Sequence, residues 1–121
     1  MKKKLIVGTL FILTGIFIIS CKHKTVLDGL PQISFSADIA PIIGSNCTMS
    51  GCHGSGKHKS MNTYSGVMRR VNPGDPLGSS LYQRIITQNT GSVMPKPPRN
   101  PLTEDNIKKI YLWIAQGAAN N

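Results

Sequence analysis

The chain has 121 residues, with 14 Lys and Arg against 5 Asp and Glu, and its formal charge is +9. This length allows one small domain and excludes a multidomain enzyme. A hydrophobic content of 40% is too high for a disordered polymer and too low for a protein with several membrane spans. Only seven residues are aromatic, and Gly and Pro occupy 20 positions. The side chains therefore offer a small core, which a bound group is expected to help fill.

The N-terminus has the pattern of an export signal. Three lysines follow Met1, and Leu5–Ile19 is an uncharged stretch of 15 residues, short for a membrane span of about 20 residues. Its end, Ile18-Ile19-Ser20-Cys21, resembles the lipobox of bacterial lipoproteins, whose cysteine is acylated and becomes the first residue of the mature chain. We therefore expect a lipoprotein signal peptide at residues 1–20 and lipidation at Cys21. An uncleaved anchor helix is the alternative, and both place the domain outside the cytoplasmic membrane.

The rest of the chain divides into a tether and a domain. Residues 21–34 mix charges with Gly29 and Pro31 without a helical or alternating pattern, which predicts a flexible tether. Residues 35–121 form the predicted domain. A domain of this size buries a modest fraction of its surface and often needs a disulfide, a metal or a cofactor.

Cys47 and Cys52 are the two cysteines that remain once Cys21 carries lipid, and His53 follows directly to give a C-x4-C-H pattern. The related C-x-x-C-H motif attaches haem in c-type cytochromes, where two thiols add to the vinyl groups and the adjacent histidine binds the iron. The second cysteine and the histidine must be neighbours, whereas the first cysteine needs only enough slack to reach the other vinyl group. Gly51 allows the wider loop.

Two other roles for this cluster stay open at the level of sequence. A disulfide between Cys47 and Cys52 suits an oxidising compartment, and the protein is then a non-redox envelope lipoprotein that acts as a binding or structural module. A zinc site formed by Cys47, Cys52, His53 and His58 is the second alternative, because zinc accepts cysteine and histidine ligands.

An iron held by His53 needs a ligand on its other face, and Met94 is the candidate. It lies 41 residues after His53, in the proline-rich loop 92–98. A thioether ligand raises the reduction potential of haem, and the prolines hold the loop in position. Met61 and His58 are the competing ligands, although Met61 follows the cysteine motif closely.

These motifs resemble those of small class I monohaem c-type cytochromes, especially the lipoprotein-anchored bacterial kind. The resemblance spans roughly residues 35–118 and departs from the family pattern in the x4 spacing of the cysteines. Its segments are Phe35–Ile43, Cys52-His53-Gly54, Val71–Pro76, Ser80-Leu81-Tyr82, Met94-Pro95, Leu102-Thr103-Glu104 and Trp113–Ala118. The resemblance implies one covalent haem c at Cys47 and Cys52, with His53 and Met94 as axial ligands of the iron.

The resemblance further implies electron transfer between Fe(II) and Fe(III), and not an enzyme. The expected location is the bacterial cell envelope, lipid-anchored on the periplasmic or outer-membrane side. Removal of the signal peptide with its three lysines lowers the formal charge from +9 to +6. The expected partners are redox proteins of the envelope, whose acidic patches this positive charge attracts. Nucleic acid is not an expected partner, because the chain is exported and its lysines are scattered. A haem-bearing sensor or enzyme subunit with a displaceable Met94 is a narrower variant.

The local patterns predict an all-α, cytochrome c-like fold of three to four short helices around one haem. An isoleucine stripe (Ile39, Ile42, Ile43) predicts a helix before Cys47. A further helix is expected near residues 80–88. The last helix begins at the N-cap Thr103 and ends near Gly117, with an apolar stripe of Ile107, Ile110, Tyr111 and Ile114, widened by Leu112 and Trp113.

Two contacts follow from these expectations. The first and last helices are expected to cross, with Phe35 or Ile39 against Tyr111 or Ile114. Four polar side chains are candidate partners of the haem propionates: Arg69, Arg70, Tyr64 and Tyr82. Because burial of the macrocycle contributes roughly 25 cal/mol per Å² of apolar area, we also expect the apoprotein to be poorly folded.

Overall fold

The computed structural model describes residues 27–54, 60–87 and 93–121. The predicted signal peptide, the lipidation site Cys21 and the competing ligand His58 lie outside these ranges. The described residues form four α-helices and a π-helical turn at Phe35–Ile39: α1 (Ala40–Asn46), α2 (Tyr64–Met68), α3 (Ser80–Ile86) and α4 (Glu104–Ala115). Within these ranges β-structure is limited to one bridge between Asn72 and Asp75, which confirms the all-α prediction. No described helix is long and apolar enough to cross a membrane.

The π-helical turn and α1 form one continuous segment where the isoleucine stripe predicts a helix. The hydroxyl of Ser34 accepts a hydrogen bond from the N–H of Ala37, and the N–H of Ser34 donates to the carboxylate of Asp38. This reciprocal cap satisfies donors that the start of a helix leaves unpaired. Pro41 lies in the first turn of α1, and because it has no N–H it cannot continue the hydrogen-bond pattern of the preceding π-helical turn. The three predicted isoleucines are all buried.

Helix α4 follows its sequence signals at both ends. The hydroxyl of Thr103 caps the N-terminus, as predicted. At the C-terminus Gly117 has a φ of +98°. The N–H of Gly117 donates to the carbonyl of Ile114, and the N–H of Ala118 donates to the carbonyl of Trp113. These two bonds make a Schellman motif, which ends the helix and satisfies its last carbonyls.

The first and last helical segments pack together, as expected, and Ile39 and Ile114 both lie in the buried core. The ring of Phe35 packs against Trp113, with centroids 5.6 Å apart, and against Tyr64 at 5.1 Å. Trp113 is fully buried, whereas Tyr111 is 38% exposed and packs against Tyr82 at 5.4 Å. The aromatic partner of Phe35 is therefore Trp113 and not Tyr111. An aromatic triad joins the π-helical turn, α2 and α4.

The packed structure also includes part of the segment assigned to the tether. Ile33 is 7% exposed, and its N–H donates to the side-chain oxygen of Gln116. The side-chain nitrogen of Gln116 donates to the carbonyl of Pro31. The N–H of Ser36 donates to the carbonyl of Asn121 at 2.8 Å. Residues 31–36 thus lie against residues 116–121, and ordered contacts begin before residue 35.

Candidate cofactor site

One cleft brings together the residues that the sequence proposes as haem ligands. It consists of two adjoining lobes of about 410 and 330 Å³ that share several wall residues. Cys47, His53 and Met94 line both lobes, and Cys52 lines the smaller lobe. Because His53 and Met94 are 41 residues apart, their meeting is a property of the tertiary fold and not of a local motif.

The attachment loop, Cys47–His53, follows α1 and folds back on itself. The N–H of His53 donates to the carbonyl of Cys47 at 2.8 Å, and the N–H of Cys52 donates to the carbonyl of Met49 at 2.9 Å. Gly51 has a φ of +78°, the left-handed conformation that glycine adopts at little cost. These features return Cys52 and His53 to the vicinity of Cys47 across the four-residue spacer.

Gly54 completes the motif for a steric reason that the sequence alone does not show. A Cβ atom at this position would collide with the carbonyl oxygen of Thr48. The carbonyl of Gly54 accepts a hydrogen bond from the side chain of Asn62, and the N–H of Met61 donates to the carbonyl of His53 at 2.8 Å. The close approach of these backbones therefore requires a residue without a side chain after His53.

Both cysteines of the attachment loop carry free thiols, Cys47 half-buried and Cys52 exposed. Burial raises the pKa of Cys47 to about 11, and the nearby Cys52 adds a smaller increase. Within the described ranges, no three or more His, Cys, Asp and Glu side chains stand close enough together to hold a metal ion. The fourth ligand of the zinc alternative, His58, lies outside those ranges.

Met94 is fixed beside the cleft through its backbone. Its N–H donates to the carbonyl of Arg84, near the end of α3, at 2.8 Å. The peptide bond between Met94 and Pro95 is cis. Helix α3 supplies apolar wall as well, through Leu81 and Ile85. The same short helix therefore shapes the cleft and anchors the loop that carries the candidate ligand.

The other methionines near the motif are placed differently. Met61 is 3% exposed and lines the larger lobe but not the smaller one. Met49 is 38% exposed and lines neither lobe. Of the described methionines, Met94 alone shares both lobes with His53. This placement favours Met94 over Met61 as the partner of His53.

The charged side chains on the cleft walls are all cationic. Arg70 and Arg84 line the larger lobe, Arg99 lines the smaller lobe, and Lys96 lines both. No described Asp or Glu lines either lobe. A guanidinium group binds a carboxylate through two parallel hydrogen bonds. Apolar walls with a cationic margin suit a flat, apolar ligand that carries carboxylates, and haem is such a ligand.

Of the four side chains expected to reach haem propionates, only Arg70 lines the cleft. Arg69 is exposed and lines neither lobe. The hydroxyl of Tyr64 donates to the carbonyl of Ala118 at 2.8 Å, inside the aromatic triad. Tyr82 packs against Tyr111. The structure therefore does not support a propionate role for these other three side chains.

Sequence reasoning missed three cationic residues of the cleft. Arg84 directly precedes the buried Ile85, and Lys96 and Arg99 follow Met94 within its own loop. That proximity to residues already singled out was the available signal. No protein-family model, curated protein or solved structure matches the chain. The chemistry of the cleft is therefore the basis for assigning a function.

Proposed function

We propose that the protein is an electron-transfer c-type cytochrome with one haem c, attached covalently at Cys47 and Cys52 and ligated axially by His53 and Met94. One observation carries the proposal: all four side chains line a single cleft, although Met94 comes from a distant loop. The haem, when bound, supplies an iron that cycles between Fe(II) and Fe(III).

Each residue of the site has a defined task in this proposal. The S–H of each cysteine adds across a vinyl C=C bond of the macrocycle: a carbon–sulfur bond forms and the hydrogen goes to the other carbon, so no oxidant is needed. Because Cys52 directly precedes His53, a haem attached at Cys52 would have the His53 imidazole beside it as one protein ligand of the iron. Met94 would supply the second protein ligand, and an enzyme activity is not proposed.

The walls of the cleft support the same function. Leu81, Ile85 and Leu102 are each at most 6% exposed and would exclude water from a bound macrocycle, at roughly 25 cal/mol per Å² of apolar area buried. The cationic margin supports docking to acidic patches on redox proteins, because opposite charges speed encounter. The lipobox-like sequence supports a membrane anchor at Cys21 and a place in the bacterial cell envelope.

The deciding experiment is a haem stain after denaturing electrophoresis, on the full chain coexpressed with c-type maturation machinery. We expect stain that survives denaturation and a reduced-minus-oxidised spectrum of a c-type cytochrome. The matched variants are Cys47→Ala and Cys52→Ala, each expected to lose one thioether, and the double variant, expected to lose the stain. A colourless wild-type protein without free thiols would overturn the proposal and favour the disulfide-bonded lipoprotein.

A further inference from the structure

A side-chain contact joins the attachment loop to the Met94 loop (residues 93–99). The guanidinium Nη1 of Arg99 lies 3.3 Å from the sulfur of Met49 and donates a hydrogen bond to it. The two residues are 50 positions apart in sequence, and both are exposed. A thioether sulfur is a weak acceptor, and a charged donor strengthens the bond.

The contact connects to the smaller lobe through Arg99, which lines it, and through Gly51, which lines it two residues after Met49. Gly51 and Cys52 line this lobe from the attachment loop, and Met94, Pro95 and Arg99 line it from the Met94 loop. The hydrogen bond between Arg99 and Met49 therefore joins two loops that line the same lobe and come from distant parts of the chain.

The Met94 loop is thus held at both ends. At its start, the N–H of Met94 donates to the carbonyl of Arg84 on α3. At its end, Arg99 reaches the attachment loop through Met49. Met49 lies inside the four-residue spacer between Cys47 and Cys52, so the wide spacer itself supplies the acceptor.

We propose that Met49 and Arg99 are positioning residues that form a latch between the two loops and keep Met94 on the iron. The inference rests on the proposed function, because it assumes that His53 and Met94 ligate one haem. Met49 lines neither lobe, and Arg99, which lines the smaller lobe, acts on Met94 through its contact with Met49 in this account. It lowers the fraction of molecules in which Met94 is detached.

The fraction with Met94 detached is measured by titrating the ferric protein with imidazole and recording the thioether-to-iron charge-transfer absorption. Imidazole binds only where Met94 has left, so its apparent affinity rises with the detached fraction. Met49→Leu keeps the apolar volume and removes the acceptor. We expect it to bind imidazole about two- to fivefold more tightly than wild type, the effect of an exposed charged contact.

Three further variants isolate the hydrogen bond. Met49→Gln retains an acceptor for Arg99 and is expected to match wild type. Arg99→Ala is expected to match Met49→Leu, and the double variant to show no further gain, because both remove the same contact. Arg69→Ala is the control, since it removes one positive charge from an exposed position that lines neither lobe and leaves the latch intact. Its imidazole affinity is expected to stay at the wild-type value.

The outcomes separate the latch from the proposed function. A wild-type imidazole affinity in Met49→Leu overturns the latch. An equal gain in imidazole affinity from the Leu and Gln substitutions also overturns it, because it assigns Met49 to packing alone. An equal effect of Arg69→Ala and Arg99→Ala on imidazole affinity also overturns it, since loss of positive charge then explains the change. Absence of covalent haem in wild type overturns the proposed function itself and the latch with it.

Discussion

The backbone N–H of Met94 donates a 2.8 Å hydrogen bond to the carbonyl of Arg84, while the side chain of Arg84 lines the larger lobe of the cleft. One residue of α3 thus contributes to the wall and anchors the loop of the candidate ligand. Because the anchor is a backbone carbonyl, substitution of the Arg84 side chain leaves it in place. The position of Met94 therefore depends on the helical geometry of α3.

If the protein is the proposed cytochrome, replacement of Met94 by Ala is expected to remove the thioether ligand and leave covalent haem attached. The reduction potential then falls, because the thioether favours Fe(II), and the reduced protein binds carbon monoxide. Met61→Leu is the matched control, a swap of similar volume that costs less than about 1.5 kcal/mol of stability. Carbon monoxide titrations and potentiometry compare the two variants. If Met61→Leu allows carbon monoxide to bind and Met94→Ala does not, the assignment of Met94 as the ligand is wrong.

Gly54→Ala is expected to destabilise the protein by about 1–3 kcal/mol, the usual cost of forcing extra atoms into a packed site. The added Cβ meets the carbonyl oxygen of Thr48 and must displace backbone. Gly44→Ala provides the contrast, because Gly44 lies in α1 with no neighbouring atom within 4 Å of an added Cβ. That change is expected to stabilise by about 0.5–1 kcal/mol. Denaturant titration of both holoproteins measures the difference, and equal effects would contradict the steric account.

Arg70→Gln is expected to lower the reduction potential, because loss of a positive charge on the cleft wall favours Fe(III). The shift is on the order of tens of millivolts, since about 59 mV corresponds to a tenfold change in a one-electron equilibrium. Arg69→Gln removes the same charge from the adjacent exposed position, outside the cleft. Its shift is expected to be smaller because water and salt screen it. Potentiometry at low ionic strength compares the reduction potentials of the two variants. Identical shifts would contradict the assignment of Arg70 to the cofactor site.

Tyr64→Phe is expected to destabilise the fold by about 1–2 kcal/mol without moving the reduction potential. The substitution keeps the ring contacts with Phe35 and Trp113 and leaves the carbonyl of the buried Ala118 without its donor. Tyr111→Phe, at a more exposed site, is expected to change stability by less than about 0.5 kcal/mol. Thermal unfolding of the two variants measures both changes in stability, and potentiometry measures the reduction potential of Tyr64→Phe. A changed potential in Tyr64→Phe would restore the propionate role that the sequence suggested.

The helices were predictable where local chemistry determines them. The isoleucine stripe before Cys47, the Thr103 cap and the Gly117 terminator each act within a few residues, and the structure confirms all three. Helix α2 was not predicted, because it is five residues long and its sequence, YSGVM, contains too few positions to show a helical period. Its role in the triad comes from tertiary contact between Tyr64 and Phe35.

The cleft was predictable in part. The spacing of Cys47, Cys52 and His53 and the proline-rich context of Met94 singled out residues that do line one cleft. The sequence could not tell which of the two adjacent arginines lines the cleft. Arg69 and Arg70 both follow α2, and only the fold places Arg70 on the cleft wall and leaves Arg69 exposed. The contact of Met49 with Arg99 was likewise not predictable, because the two residues are 50 positions apart and only the fold brings their loops together.

The uneven placement of charge around the cleft gives the described part of the molecule an electric dipole. Four of its seven Lys and Arg side chains line the cleft walls, and none of its five Asp and Glu does. A charged surface exerts a torque on such a molecule before contact, so approach is oriented as well as accelerated. An electrode coated with carboxylates is therefore expected to adsorb the protein with its cleft toward the conductor. In the proposed function this orientation shortens the path of the electron.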